Sequence, residues 1–526
     1  MNKLYNSNKK TIINISNSKL PIVFFILMFL LNLYPLIAFK YPVLVDYPNH
    51  LASFFIQANI DNDNWLKYNY LVEWHIKPNV VFEWLGGALA KYFDIFIAGK
   101  IVIILGITLI CTGILLIRKS INGRIDSWMV IILAFIYNFL LFFGFINYYA
   151  SSGVALIAMY LWIKFREINL LKHLLLFAAI STFLFFCHLF ALAVYGIFVL
   201  GYEIGIYRYD RDKFAISNLV KSLFQFIFPS VLFFIWHSSL ISYDYGSFYR
   251  YEDIYWKITT LLSPIVFDFN KSNTFLTLFI LIGLLFFRLL YRSGISIYSE
   301  LKMPLIFLFC IYMITPIAIG GSWGVDLRFP YILILLLVAS IRFDESQASA
   351  RNFRTSIIGI GIITICFKVY FISSAWAIFG HQYQELEDAL DHVTRGSKVI
   401  TIQEVSKNVQ GDDVLLYHHI AALSIIKRSA FWPNLFTVNL TPIYPTVNTA
   451  HIHSSLNIQL SLSDLINNKF KNGYVYDKGA VVYWENWTQD FDYLISMRFE
   501  NLSVIDIKNL KLIVRGSFFD IYQIVH

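Results

Sequence analysis

Apolar stretches near 20–40, 95–117, 128–147, 149–165, 216–239, 274–291, 303–320, 329–342 and 355–376 dominate this chain. About 20 apolar residues cross a hydrocarbon core, so the 329–342 run must draw on its flanks. Lipid offers the backbone no hydrogen-bond partners, and a helix satisfies its own. The pattern therefore dictates a polytopic α-helical membrane protein. Composition agrees. Hydrophobic residues make up 57% and charged residues 14%, with a mean hydropathy of +0.60, where ordinary soluble domains carry roughly 25% charged residues.

The net charge of +8 is not a nucleic-acid signal, because the basic residues are scattered among short loops rather than gathered on one face. They report topology. Lys9-Lys10, Arg118-Lys119-Arg124, Lys164-Arg166-Lys172, Arg208-Arg211-Lys213, Arg288-Arg292 and Arg342-Arg351-Arg354 belong on the cytoplasmic side by the positive-inside rule. One segment, Leu174 to Ile206, is basic at both ends and too long for one pass. Two short helices meeting near Phe186-Cys187-His188 restore the alternation. The count becomes about eleven passes, with the N-terminus inside and everything after Ala377 outside. The polar, basic stretch to Lys19 and the long run after it fit an uncleaved signal-anchor. Cys111, Cys187, Cys310 and Cys366 lie in apolar runs without CxxC spacing, which points to neither a disulfide framework nor a zinc site.

Composition shifts once, near 377–381. Residues 1–377 read as the transmembrane domain, with a first outer loop at about 40–80. Residues 378–526 read as an extracytoplasmic α/β domain. Its β-rich runs are Lys398–Gln403, Val414–Tyr417, Tyr474–Trp484, Phe491–Met497, Leu512–Arg515 and Phe519–Val525, and His418–Arg428 has helical spacing.

The outer face collects the chemistry. Asp46-Tyr47-Pro48-Asn49-His50 follows the first span, and Pro48 suits the first turn of a helix. A helix starting there puts His50 one turn beyond Asp46, an acid and a titratable base at a membrane surface. The first loop also carries Asp61, Asp63, Glu73, His75 and Lys77. The hairpin tip adds His188, and the glycine-rich loop ending in Asp326-Leu327-Arg328-Phe329-Pro330 adds Asp326 and Arg328. Ionisable groups at membrane depth mark function or a buried pair. Each has a plainer reading. Asp46 would cap its helix, and His50 would sit wetted by headgroups. Asp326 and Arg328 would pair with each other, and His188 would bond carbonyls freed by a helix break. His418 and His419 would be ordinary surface residues of the soluble domain. Asp61-Asn62-Asp63-Asn64 lacks the rest of an EF-hand. The functional case rests on convergence.

This layout of one helix, a long outer loop opening on an acid, many further passes and an outer C-terminal α/β domain resembles the GT-C glycosyltransferases. These include the protein O-mannosyltransferases and the bacterial aminoarabinose transferases that modify lipid A. Short motifs are similar to those of uncharacterised bacterial GT-C-type proteins: Asp46-x-Pro48-Asn49-His50-Leu51, Asp326-Leu327-Arg328-x-Pro330, Tyr417-His418-His419-Ile420-Ala421, and Arg428-x-x-Phe431-x-Pro433. The resemblance implies that Asp46 is the catalytic carboxylate. Many GT-C enzymes place two acids side by side here, whereas Asp46 is followed by Tyr47.

A polyprenyl-phosphate sugar donor needs a base for the acceptor hydroxyl, a cation for the departing phosphate and an apolar, aromatic groove. Asp46 supplies the base, with His50 tuning or sharing its proton. Arg328 supplies the cation, with Asp326 beside it, and His188, Glu73 and His75 support the site. The acceptor is a lipid, a glycan or a protein. Neither a Walker-type loop nor a GxGxxG follows a strand, which favours a lipid-phosphate donor over a nucleotide sugar. No cofactor is indicated with certainty, no metal ligand set is evident, and a divalent cation stays open. The expected location is the bacterial inner membrane. Two other readings compete: a lipid-linked substrate transporter or flippase, argued against by the lack of internal repeats, and a non-catalytic assembly subunit.

Overall fold

A computed structural model describes residues 2–209, 216–239, 249–265, 294–319, 322–404, 415–437, 441–454, 459–467, 482–498 and 509–525. The expected span near 274–291 and most of the Tyr474–Trp484 run lie outside the described residues.

Among the described residues, seven helices are long and apolar enough to cross a membrane: Leu20–Ala38, Ile95–Asn122, Ile146–Phe165, Leu170–Cys187, Leu189–Tyr209, Ile216–Ser238 and Ala348–His392. The chain is a multi-pass membrane protein. Three shorter apolar helices, Val81–Ala90, Ser127–Phe142 and Arg328–Ser340, accompany them, so eleven full passes are not established. The Leu174–Ile206 segment does divide in two, with His188 in extended backbone between the Leu170–Cys187 and Leu189–Tyr209 helices.

Small residues set the closest helix pair. Ile95–Asn122 lies along Ile146–Phe165, and a Cβ added at Gly153 would come within 2.6 Å of the Ile110 nitrogen. Only glycine lets the two backbones approach so far.

The stretch expected as a single span over 128–147 is broken instead. It forms a 3₁₀ segment, Ser127–Phe135, then a four-residue helix, Phe139–Phe142, and a left-handed turn at Gly144, φ +78°. Asn138 makes the break: its amide donates to the Phe135 carbonyl at 2.9 Å and accepts from the Leu141 N–H at 3.1 Å. Lys368, from the Ala348–Ala389 helix, donates to the Ala134 and Tyr137 carbonyls at 2.9 and 2.7 Å. Irregular backbone survives at this depth only when protein groups satisfy it, and residues 128–142 are buried throughout.

The Ala348–Ala389 helix, 42 residues and roughly 60 Å long, passes without interruption through the composition shift at 377–381. Beyond it lies a four-stranded sheet in the order Leu510–Arg515, Phe519–Ile524, Tyr493–Arg498, Val399–Glu404. The first three strands are antiparallel neighbours, and Val399–Glu404 joins parallel. Val414–Tyr417, expected as a strand, contributes a 3₁₀ turn at Leu415–Tyr417.

The first outer loop and this C-terminal segment are stitched together. Tyr70–Val72 pairs antiparallel with Ile443–Pro445. Asp63 caps the Asn64–Asn69 helix and also binds Arg395 at 2.7 Å and Ser429 at 2.6 Å. Tyr70 donates to the Ala430 carbonyl and accepts the Trp432 N–H.

Candidate active site

Asp46 stands where the first outer loop turns into the Tyr47–Asn59 helix. Its carbonyl accepts the first helical N–H groups, from Asn49 at 3.1 Å and His50 at 3.2 Å. Its side chain caps nothing. The cause is local: a capping residue normally adopts extended backbone, whereas Asp46 has helical angles, φ −85° and ψ −7°. The carboxylate is thereby freed for another use. The Asp46 N–H donates to the Phe143 carbonyl at 3.0 Å. A Cβ at Gly144 would lie 2.8 Å from the Asp46 nitrogen, so glycine alone allows the Phe143–Phe145 turn to seat against it.

That turn joins Asp46 to Arg328. The Arg328 guanidinium lies 5.0 Å from the Phe145 ring, 4.8 Å from Phe190 and 5.6 Å from Tyr148. It donates to the Trp323 carbonyl at 3.1 Å, and its buried Nε has no partner among the described residues. No described carboxylate is within ion-pair distance of it. The expected pairing with Asp326 does not occur. Asp326, fully buried, is held by Lys257 at 2.6 Å and the Trp256 indole at 3.2 Å. It braces the loop instead of standing beside Arg328 for a phosphate.

His50 turns away from Asp46 to meet Glu83 at 2.6 Å. Glu83, fully buried, also accepts from Ser53 at 2.9 Å and Asn147 at 3.0 Å. Burial depresses the His50 imidazolium, but contact with Glu83, helped by the Asp46 charge, more than reverses this and leaves its pKa raised. It is not a wetted interfacial histidine. His188 accepts the Phe190 N–H on Nδ1 at 3.1 Å and packs on Tyr148. It therefore caps the following helix rather than bonding freed carbonyls. Glu73 and His75 form an exposed pair at 3.1 Å, with no described contact to Asp46. Lys77 is buried, donates to the Thr441 carbonyl and lies over Tyr444. Burial pulls its pKa down to about 8, against the opposing pull of Glu83.

His418 and His419 are not surface residues. His419 is buried, and its Nε2 lies 3.3 Å from Asp46 Oδ1. Burial, and then its neighbour His419, push His418 down to about 3. Sequence reasoning missed Glu83 and Lys257, and gave Asn49 only as a motif residue without a partner. Glu83 carried a signal, as the lone acid in an otherwise apolar run three residues past the expected loop end. His419 stood in the Tyr417–Ala421 motif, but nothing in the sequence pairs it with Asp46, 373 positions away. No cluster of three or more His, Cys, Asp or Glu side chains suited to a metal ion occurs among the described residues.

No family model and no curated protein matches the sequence. The solved structures give a different result. The crystal structure of ArnT from Cupriavidus metallidurans bound to undecaprenyl phosphate superposes with a TM-score of 0.51 at 10% identity, covering 96% of this chain and 98% of that one. This chain has the ArnT fold. The apo ArnT crystal structure gives 0.47 at 9% identity, over 95% and 97% of the two chains. The membrane helices and the sheet-containing C-terminal segment follow the path of the chain in the undecaprenyl phosphate complex. At this identity the ArnT likeness carries the path of the chain and leaves the chemistry to its own residues.

Proposed function

We propose that this protein is a GT-C-type glycosyltransferase. It moves a sugar from a polyprenyl-phosphate donor to a hydroxyl of a lipid, glycan or protein acceptor at the outer face of the cytoplasmic membrane. In this reading the acceptor oxygen attacks the anomeric carbon as Asp46 takes its proton. The bond from that carbon to the phosphate oxygen breaks, and the polyprenyl phosphate leaves with the bonding pair. Arg328 receives the departing charge. A guanidinium in a ring-lined pocket suits this, because it offers phosphate a planar fork and stays charged when desolvated.

The observation that carries the reading is the Asp46 carboxylate. It is released from capping and tied through Phe143–Phe145 to a guanidinium with no carboxylate partner among the described residues. ArnT, whose fold the chain shares, binds undecaprenyl phosphate in its crystal structure, and a lipid phosphate is the anion proposed for Arg328. His50 takes a different part from the one its spacing implied, anchoring the helix under Asp46 through Glu83.

The test is incubation of purified full-length protein with a panel of polyprenyl-phosphate sugars and candidate acceptors, with products read by mass spectrometry. Transfer by the wild type that is lost in Asp46→Asn is expected. Transfer unaffected by that substitution would remove Asp46 from the chemistry.

A further inference from the structure

We propose that His419, carried by the C-terminal segment, is a positioning residue for Asp46: an imidazole whose Nε2 stands against the carboxylate and fixes its orientation. The proposal rests on the reading of Asp46 as the base.

The tautomer follows from Asn49. Its Oδ1 accepts the Phe436 N–H at 2.7 Å, and its Nδ2 donates to the Asn434 carbonyl at 2.9 Å. Those two bonds settle which end of the amide is which. The same Nδ2 meets His419 Nδ1 at 3.0 Å. A donor faces that ring nitrogen, so Nδ1 holds the lone pair and Nε2 the proton. Nε2 is the atom 3.3 Å from Asp46 Oδ1. At this distance the two groups are in ion-pair range without a formed hydrogen bond, and such contacts tighten when substrate fills a site.

Aromatic rings and the Asn49 amide enclose the imidazole. Phe436 and Trp432 present their rings at 5.1 and 6.0 Å. The His418 ring, 6.4 Å away, is held neutral by burial. His50 lies against Phe436 as well, at 5.7 Å, with its proton shared toward Glu83. Asp46 is the only described carboxylate within ion-pair distance of the imidazole.

Asp46 and Asn49 belong to the first outer loop, while His419, Asn434 and Phe436 belong to the C-terminal segment. The base is therefore complete only where the two meet, and the Asp63–Arg395 pair and the Tyr70–Val72 strand hold that meeting in place.

The test follows the Asp46 carboxylate stretch by infrared difference spectroscopy of the full-length protein in nanodiscs, assigned by subtraction of the Asp46→Asn spectrum. The stretching frequency should shift in His419→Phe, where the contact is lost. His419→Gln, whose amide N–H reaches toward the same oxygen, should stay near wild type and show that folding is not the cause. Equal frequencies in wild type and His419→Phe, or a Gln variant that behaves like Phe, overturn the proposal. Should the frequency move as expected while the wild type transfers no sugar from any donor, the pairing stands and the glycosyltransferase reading falls. Intact transfer with an unmoved frequency gives the reverse.

Discussion

Lys257, and not Arg328, neutralises Asp326, with its Nζ 2.6 Å from Oδ2. The same ammonium donates to the Thr315 carbonyl at 2.5 Å and so ties the Ile254–Thr260 helix to the loop before Arg328. This division of labour leaves the guanidinium among aromatic rings, with no carboxylate among the described residues in ion-pair distance.

Breaking that pair on one side should unfold the loop. Lys257→Met leaves a buried charge unpaired, which costs about 3–5 kcal/mol, while replacing both partners by apolar residues is often neutral. Thermal unfolding in detergent should show a large fall for Lys257→Met and recovery in the Lys257→Met, Asp326→Leu double variant. A single variant as stable as wild type would show that the pair contributes nothing.

Arg328→Lys should keep the protein folded and weaken undecaprenyl phosphate binding by about thirtyfold, the scale of one desolvated cation–π contact. Lysine keeps the charge and loses both the planar fork and the stacking. Binding measured by native mass spectrometry checks this, and unchanged affinity would make Arg328 a structural residue.

Asp46→Asn should lower turnover by about 10²–10⁴-fold, the usual contribution of a general base. Its thermal midpoint should stay put, because no capping bond is lost. Lost stability with retained turnover would reverse the assignment.

The His50–Glu83 pair should make stability depend on pH in one direction. The folded pKa of His50 is raised above the ordinary 6.5, so its contribution is full below that value and fades as pH rises through the folded one. The thermal midpoint should fall across that window, and Glu83→Gln should flatten the fall. An equal slope in both proteins would place the titration elsewhere.

The positive-inside rule predicts Gly123 on the cytoplasmic side and the C-terminal segment outside. Topology reporters at Gly123 and at Asn448 should therefore give opposite signals, and matching signals would overturn the common outer face.

Much of the architecture was legible because its causes are local. Apolar run length fixes a membrane helix, and basic flanks at both ends required the break at His188. Pro48 fixed where the Tyr47–Asn59 helix begins. The 128–147 stretch misled because hydropathy reports burial and not conformation. An internal asparagine and a distant lysine, Lys368, together make irregular backbone affordable at that depth.

The sequence by itself determined that this chain lives in a membrane, that Asp46 stands at the end of its first span, and that acids, histidines and Arg328 gather in the connecting loops. The tertiary structure alone decided who partners whom. Asp46 has His419 beside it, His50 has Glu83 and Asp326 has Lys257, over separations of 373, 33 and 69 positions. Such pairs leave no periodicity to read. Each contact is set by a few ångströms of geometry; for Asp46 and His419 that geometry exists only once the first outer loop and the C-terminal segment have packed together, and for the other two only once the helices and loops that carry them have.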